Sequence, residues 1–373
     1  MPLPQTEIAA RILLQSLPEI GVKRYQGLLQ HFTSAHAALI ADAEEWRQLR
    51  LPAKSIAARK HPDYLQLTDR TLAWLAQPNH HVFFSDQADY PFLLKNTAGA
   101  PNLLFAMGDH SIIEQPQLSI FGGLNASVSS KQPAFQFSKA LSSAGFVVTS
   151  GLAQGIDAAA HEGAVAVGKP TIAVVGTGLN LVYPARHRPL QEAILQHGGL
   201  VLSELPLDSQ PLAAHFPRRN RIISGLALGV LVIEANPNSG SLITARLAAE
   251  QGREVYAIPG SIHYPGARGC HQLIREGATL VETVEHILEE LQSWKSLPES
   301  SEAALDNHSE LPVQQQQLLQ LIQAERYQTE ELAALSQLSI PELLPLLTDL
   351  EIFGLISNEN GLWLYHSGKN SLI

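Results

Sequence analysis

Cysteine is nearly absent from this chain, in which Cys270 is the only one among 373 residues. One cysteine forms no internal disulfide and no cysteine zinc cluster, so we expect a reducing compartment. Long apolar runs are absent as well: the longest, residues 225–233, has nine residues, against the roughly 20 that a membrane helix needs. The N-terminus has no basic region followed by an apolar run, so we expect no signal peptide.

Positive charge is scarce overall, with a formal net charge of -10, but the deficit is local. Residues 292–373 hold three Lys or Arg against eleven Asp or Glu, whereas residues 112–291 hold twelve against fourteen. A local basic patch, and not the total charge, decides phosphate binding, so the total does not exclude a nucleic-acid partner.

Residues 1–75 show helical spacing of apolar side chains, as at Ile8, Ile12 and Leu13. A turn at Gly21 followed by Lys23 and Arg24 is similar to a helix-hairpin-helix or SAM-like module. Such a hairpin offers backbone amides to DNA, but Glu19 stands where a second glycine is usual. A plain packing module is the simpler interpretation.

Residues 76–292 predict an α/β domain with a Rossmann-like parallel sheet. Six apolar runs without polar alternation, typical of strands buried on both faces, alternate with helical stretches of 10–15 residues. They are Leu118–Phe121, Phe146–Thr149, Thr171–Val175, Leu200–Leu202, Leu228–Ile233 and Val255–Ile258. Ligands bind beyond the carboxyl ends of such strands, so we expect function there.

Residues 293–312 form a predicted polar linker, and residues 313–373 predict three short helices followed by a hairpin, which is a winged-helix arrangement. Between His308 and His366, Arg326 is the only Lys or Arg, against eight Asp or Glu. A DNA-binding helix needs cations that replace phosphate counterions. We therefore favour a protein-contact or regulatory role for this module.

Three segments carry candidate chemistry. The first, residues 149–157, places Ser150, Gly151 and Gly155 in a turn between a strand and a helix, where free amides bind anions. The second, residues 216–225, holds Phe216 ahead of a basic cluster; arginine suits phosphate oxygens and an aromatic ring stacks on a base. The cluster consists of Arg218, Arg219, Asn220 and Arg221.

The third segment, residues 236–246, follows a strand that ends at Glu234. Ser239 is a candidate cap for the next helix, Gly240 and Ser241 offer amides, and Thr244 adds a hydroxyl on the same face. This start of a helix is a second candidate phosphate site, and an ordinary capped helix is the less favoured alternative.

Several catalytic motifs are missing: the phosphate-binding loop of the common ATPases, the two-histidine zinc motif and the serine nucleophile elbow. Phosphate-binding turns without a nucleophile or base favour binding over catalysis. We expect no metal and no cofactor.

The chain resembles the DNA-processing protein A (DprA/Smf) family over roughly residues 60–290. The family has the same motifs in the same order: the three segments above, Tyr183-Pro184, residues 250–253 and Ile258-Pro259-Gly260. The resemblance implies a non-enzymatic, cytoplasmic homodimer, joined through the Rossmann-like domain. It also implies a role in natural transformation: binding and protecting incoming single-stranded DNA and loading RecA recombinase onto it.

Carried onto this chain, the resemblance implies DNA contacts from the three segments above, with Arg246 and, as a weaker candidate, Lys169. One departure is notable, because Gly123 and Leu124 stand where the family has Ser-Arg. Lys131 or Arg186 could supply the missing charge. Further departures are Ser130, His187 and His271.

Two other functions stay open from the residues alone. An enzyme acting on a nucleotide or phosphoribosyl substrate could use Asp157, Glu204 or Glu234 as acid or base, on fold analogy. A protein-interaction scaffold would suit the acidic C-terminal module but leaves the arginine cluster unexplained.

Overall fold

The chain divides into two units, Met1–Leu291 and Gln292–Ile373, in the computed structural model of the protein. The structure describes residues 3, 6–124, 126–237, 239–295, 312–324, 327–336, 338–352, 355–359 and 362–365. Most of the predicted linker, residues 296–311, and residues 360–361 of the predicted hairpin lie outside these ranges.

Six helices open the first unit: α1 Glu7–Ser16, α2 Val22–Phe32, α3 Ala35–Ile40, α4 Ala43–Gln48, α5 Ala53–Ala58 and α6 Pro62–Leu75. They enclose a core of their own around Leu13, Tyr25 and Trp46, all of which are fully buried. An ion pair between Arg11 and Asp86 connects α1 with the segment that follows β1 (His80–Phe84). The helices thus belong to the same unit as the sheet.

A nine-stranded sheet forms the centre of this unit, in the order β1-β2-β6-β5-β4-β3-β7-β8-β9. The remaining strands are β2 Leu103–Gly108, β3 Gln117–Phe121, β4 Val147–Ser150, β5 Thr171–Val174, β6 Leu200–Ser203, β7 Gly229–Val232, β8 Glu254–Ala257 and β9 Thr279–Leu280. Strands β3 to β9 pair in parallel, and β1 and β2 add an antiparallel edge. The predicted Rossmann-like sheet is therefore confirmed, with six strands where the apolar runs place them.

Helices cover both faces of the sheet: α7 Phe92–Lys95, α8 Val128–Ser143, α9 Ile156–Val165, α10 Arg188–Gln196, α11 His215–Leu226, α12 Gly240–Glu250, α13 Arg268–Arg275 and α14 Val284–Lys295. One core cluster joins α8, α9 and α14 to β3 and β4, and another joins α11 to β5 and β6. Every residue of β3 to β7 is buried, which is why these strands show no polar alternation.

The second unit has the winged-helix arrangement that the sequence predicts. It contains α15 Val313–Ala324, β10 Tyr327–Gln328, α16 Thr329–Ser336, α17 Ile340–Ile352, β11 Ile356–Glu359 and β12 Leu362–Tyr365. The three strands pair antiparallel in the order β10-β12-β11. Leu332, Leu343, Leu347 and Trp363 pack in its core.

Within the described ranges, no helix combines the length and the apolar character required to cross a membrane. The same residues include no cluster of three or more histidine, cysteine or carboxylate side chains that could hold a metal ion.

Candidate nucleic-acid interface

The three candidate segments follow β4, β6 and β7, so their first residues lie at the carboxyl edge of the sheet. Strand order reverses between β3 and β7, which is the position where open α/β sheets bind ligands. Ser241 Oγ donates to the Gly122 carbonyl at 3.0 Å and so joins the loops that follow these two strands. The topology thus brings residues distant in sequence to one edge.

Gly155 shapes the turn after β4. Its φ of 88° lies in the region that favours glycine, and a Cβ there would lie 2.4 Å from the Gly123 carbonyl oxygen. Ser150 is fully buried and donates to the Ile120 carbonyl at 2.6 Å. Ser150 therefore holds the turn in place through its buried hydroxyl.

Arg219 lies inside the protein, unlike the arginines beside it. It is 4% exposed and donates to the Gly151 carbonyl at 2.5 Å and to the Val174 carbonyl. A Cβ on Gly151 would lie 2.5 Å from both Arg219 and Asp157, so glycine is required at this position. Burial raises the pKa of Asp157 while the Arg219 charge acts in the opposite direction. The structure thus places this predicted DNA contact among the supports of the glycine turn.

Arg218 and Arg221 share one face of α11, as their spacing predicts, and both bind Glu204. Arg218 Nε lies 3.2 Å from Glu204 Oε1, and Arg221 contacts the other carboxylate oxygen. The Arg218 side chain is 58% exposed, whereas that of Arg221 is 17% exposed and also donates to the Gly99 carbonyl. Burial lowers the pKa of Arg221, and Glu204 opposes that shift. Arg218 is therefore the more accessible of the two charges.

Phe216 forms an aromatic pair with Tyr183, and it lies at the start of α11, two residues ahead of Arg218 in the chain. Their ring centroids are 5.6 Å apart at an interplanar angle of 42°. Phe216 also covers Gly176, where a Cβ would lie 2.9 Å from the ring. Tyr183 is 48% exposed. In the sequence Tyr183 stands out only as part of a family motif, and a tyrosine next to a proline after the β5 glycine turn was the usable indication.

The start of α12 provides hydroxyl and amide groups at the same edge. Thr244 Oγ1 accepts from the Asn220 side chain at 2.9 Å, which links α11 to α12. Gly240 is exposed and has no atom within 4 Å of an added Cβ. Ser239 stands at the N-cap position, but its side chain caps no amide and its oxygen is buried without a partner among the described residues. The expected side-chain cap at Ser239 was wrong.

Two predicted contacts lie apart from this group. Arg246 is further along α12 and pairs with Glu276 at 3.0 Å. Lys169 is exposed just before β5 begins, so it lies at the amino edge of the parallel strands, opposite the glycine turns. The structure brings neither residue to the edge where the others meet.

The loop after β3 lacks the charge that the family resemblance leads one to expect. A Cβ on Gly123 would lie 3.2 Å from the Glu234 carboxylate, whose other oxygen accepts from the Ser127 amide at 3.3 Å. Leu124 is 59% exposed. The nearby cations are Lys131 and Arg186, which line a cavity of about 560 Å³ that Leu124 also borders.

Comparison with known proteins decides the family. The sequence profile described as DNA recombination-mediator protein A matches residues 81–292, and that of the DprA winged helix domain matches residues 302–361. The chain belongs to the DNA recombination-mediator protein A family. The resemblance drawn from the motifs is thereby confirmed, and family membership makes DNA processing the general function class.

Two curated relatives and two solved structures show how far the similarity extends. Protein Smf of Escherichia coli is 41% identical over 316 residues, which cover 83% of this chain and 81% of Smf. DNA processing protein DprA of Streptococcus pneumoniae is 46% identical over 231 residues, which cover 61% of this chain and 80% of that protein.

The crystal structure of the Streptococcus pneumoniae protein has a TM-score of 0.65 at 35% identity, over 77% of this chain and 99% of that one. DNA processing protein A from Helicobacter pylori has a TM-score of 0.52 at 26% identity, over 57% of this chain and 96% of that one. The work on the Helicobacter pylori structure describes that protein's single-stranded DNA binding mode.

Proposed function

We propose that this protein binds single-stranded DNA at the carboxyl edge of its sheet, protects the incoming strand during natural transformation and loads RecA recombinase onto it. The observation that carries the DNA-binding part is the arrangement at α11. The start of α11 carries both Phe216, which pairs with Tyr183, and the exposed Arg218, and it lies at the edge where α/β sheets bind ligands.

The aromatic pair favours a single strand over a duplex. Bases of a flexible strand are free to stack on rings such as Tyr183 and Phe216, and stacking tolerates any sequence because every base has an aromatic face. Bases in a duplex are already stacked on one another. Arg218 supplies phosphate contacts that carry affinity without sequence preference.

The remaining parts of the proposal extend the family resemblance to this chain. RecA is the proposed partner, the protein is proposed to act in the cytoplasm as a homodimer through the sheet domain, and it acts by binding, without catalysis. The domain division, with boundaries near residues 75, 292 and 312, belongs to the same proposal. The acidic winged-helix module is assigned to contacts with protein.

The DNA-binding proposal is tested with Arg218→Ala. We expect the affinity for a labelled single strand to fall about tenfold, because one charged hydrogen-bonded contact is lost. The slope of log affinity against log salt should fall by about 0.7, the value for one phosphate contact on a single strand. Fluorescence anisotropy across a salt series measures both quantities.

Lys169→Ala is the matched control, since it removes one exposed cation at the opposite edge of the sheet. Unchanged affinity and slope are expected for it. An equal loss in both variants would mean that binding follows overall charge and not this site.

RecA loading is tested separately with a strand coated by single-strand-binding protein. The wild-type protein should shorten the lag before RecA filaments form, and Arg218→Ala should shorten it less. If the wild-type protein binds DNA but does not shorten the lag, it is a DNA-binding protein that does not load RecA.

A further inference from the structure

The cavity between α8 and α9 lies next to the proposed DNA site and shares Gly155 with it. Its volume is about 560 Å³, within the range of small-molecule sites. Gly155 contributes to both the cavity and the turn after β4. The cavity therefore opens at the carboxyl edge of the sheet, along the path of a DNA strand bound at that turn.

Apolar side chains at its mouth are unusually exposed. Leu124 is 59% exposed and Val128 is 85% exposed. Both line the cavity, and Phe135, Ala158 and Ala159 form more of its wall. Large apolar side chains left in water around a concave site indicate a ligand with a flat apolar face.

Polar side chains that line the cavity are suited to bind the hydrogen-bonding edge of a base and the phosphates of a nucleotide. Lys131 and Arg186 are both exposed, and Arg186 donates to the Gln154 side chain. Gln132 also lines the cavity, and glutamine amides pair with base edges. Glu162 is the one carboxylate of the described lining and His187 is fixed by the Leu152 carbonyl at 2.9 Å.

A second cavity, of about 320 Å³, lies across α8 and offers a useful contrast. Glu234, Ser129 and Ser130 line it, and its described lining contains no lysine or arginine. An anionic ligand therefore favours the larger cavity.

We propose that the larger cavity receives one unstacked base of the bound single strand, while Lys131 and Arg186 contact the phosphates on either side of that nucleotide. The proposal rests on the single-stranded DNA binding proposed above. Leu124 then has a role, since the position where the family has arginine becomes an apolar wall for the base, and Lys131 and Arg186 of the same cavity restore the charge.

A DNA strand that lacks one base tests whether a base occupies the larger cavity. A single abasic site is placed in turn at each position of a short oligonucleotide, and affinity is measured for wild type and for Ala158→Phe, which fills the cavity. We expect one position at which base loss weakens wild-type binding about tenfold and leaves the filled variant unaffected. An equal effect of base loss on both proteins would overturn the proposal.

A second variant avoids any folding defect from filling a buried position. Lys131→Ala with Arg186→Ala changes only exposed side chains, and it should lower affinity at least tenfold and the salt slope by about 1.4, or two phosphate contacts. Lys139→Ala, an exposed cation on the same helix outside the cavity, is the control and should change neither. Unchanged binding in the double variant would contradict the proposal.

A free nucleotide is the other source of the same chemistry. The monophosphate of 2-aminopurine deoxyriboside, added alone, should not bind measurably, whereas 2-aminopurine inside the strand should change its fluorescence on binding. Saturable binding of the free nucleotide would replace this proposal with a nucleotide site. If wild type binds no strand at all, the proposed function fails; if Arg218→Ala weakens binding but filling the cavity does not, only this inference fails.

Discussion

Arg219 shows that neighbouring residues of one type can have different roles. Its guanidinium holds the carbonyls of Gly151 and Val174 and balances the charge of Asp157. Removing it leaves those oxygens without a donor and a buried carboxylate without a counter-charge.

We predict that Arg219→Ala lowers the free energy of unfolding by about 3–5 kcal/mol. Arg218→Ala should cost less than about 1 kcal/mol, since its side chain is largely exposed. Urea denaturation compares the two variants. A stable Arg219→Ala protein that has lost DNA binding would instead show that this arginine contacts the strand.

His161 predicts a pH dependence of stability. Thr171 Oγ1 donates to the Val148 carbonyl at 2.5 Å, so it accepts from His161 Nδ1 at 2.9 Å. Nε2 is then unprotonated, and it is buried without a partner in the described part of the chain. Burial lowers the pKa of His161 to about 3.

The direction of the stability change with pH follows from the unfolded chain, in which a histidine titrates near its ordinary pKa of about 6.5. Below that pH the unfolded state gains a proton that the folded state does not accept, so stability falls as the pH drops from about 6.5 toward 3. The loss is at most about 1.4 kcal/mol per pH unit. From about pH 7 to pH 5, the free energy of unfolding should fall by roughly 2 kcal/mol less in His161→Gln than in wild type. Urea denaturation at the two pH values measures this difference. Parallel losses in the two proteins would rule out this histidine as the source.

At the scale of single elements, the glycine turns make a testable distinction. Gly155→Ala places a Cβ against the Gly123 and Leu124 carbonyls at a positive φ, and we predict a loss of at least about 1 kcal/mol in stability. Gly240→Ala meets no atom within 4 Å, so stability should hold while DNA affinity falls if a phosphate approaches that backbone. Thermal unfolding with anisotropy separates the two effects. Equal stability of both variants would contradict the role given to Gly155.

The elements themselves were largely predictable, because buried parallel strands leave apolar runs bounded by glycine. Strand β9 was not, since Thr279–Leu280 is too short to show a period. Which arginine of α11 points inward was not predictable either. That choice depends on the close approach of Gly151 to Arg219, residues far apart in sequence. The same limit applies to Ser239, whose cap geometry depends on the fold around it.

For the whole molecule, charge is distributed unevenly between the two units. The acidic residues concentrate in residues 292–373, while the candidate DNA site lies within Met1–Leu291. We predict that a protein ending at residue 296 keeps its affinity for a single strand, and binds slightly tighter at low salt because the net negative charge of the removed residues is gone. Circular dichroism checks that the fragment is folded, and fluorescence anisotropy measures its affinity for the single strand. Loss of binding by a folded fragment would place DNA contacts in the winged-helix unit.

This chain is proposed to prefer single-stranded DNA and to bind it through phosphate contacts at one edge of the sheet. The most direct measurement is anisotropy of the same labelled sequence as a single strand and as a duplex, over a salt series, with the wild-type protein. We predict tighter binding to the single strand and a linear decrease of log affinity with log salt. Equal or tighter binding to the duplex, or no binding to either by the folded protein, would contradict the account.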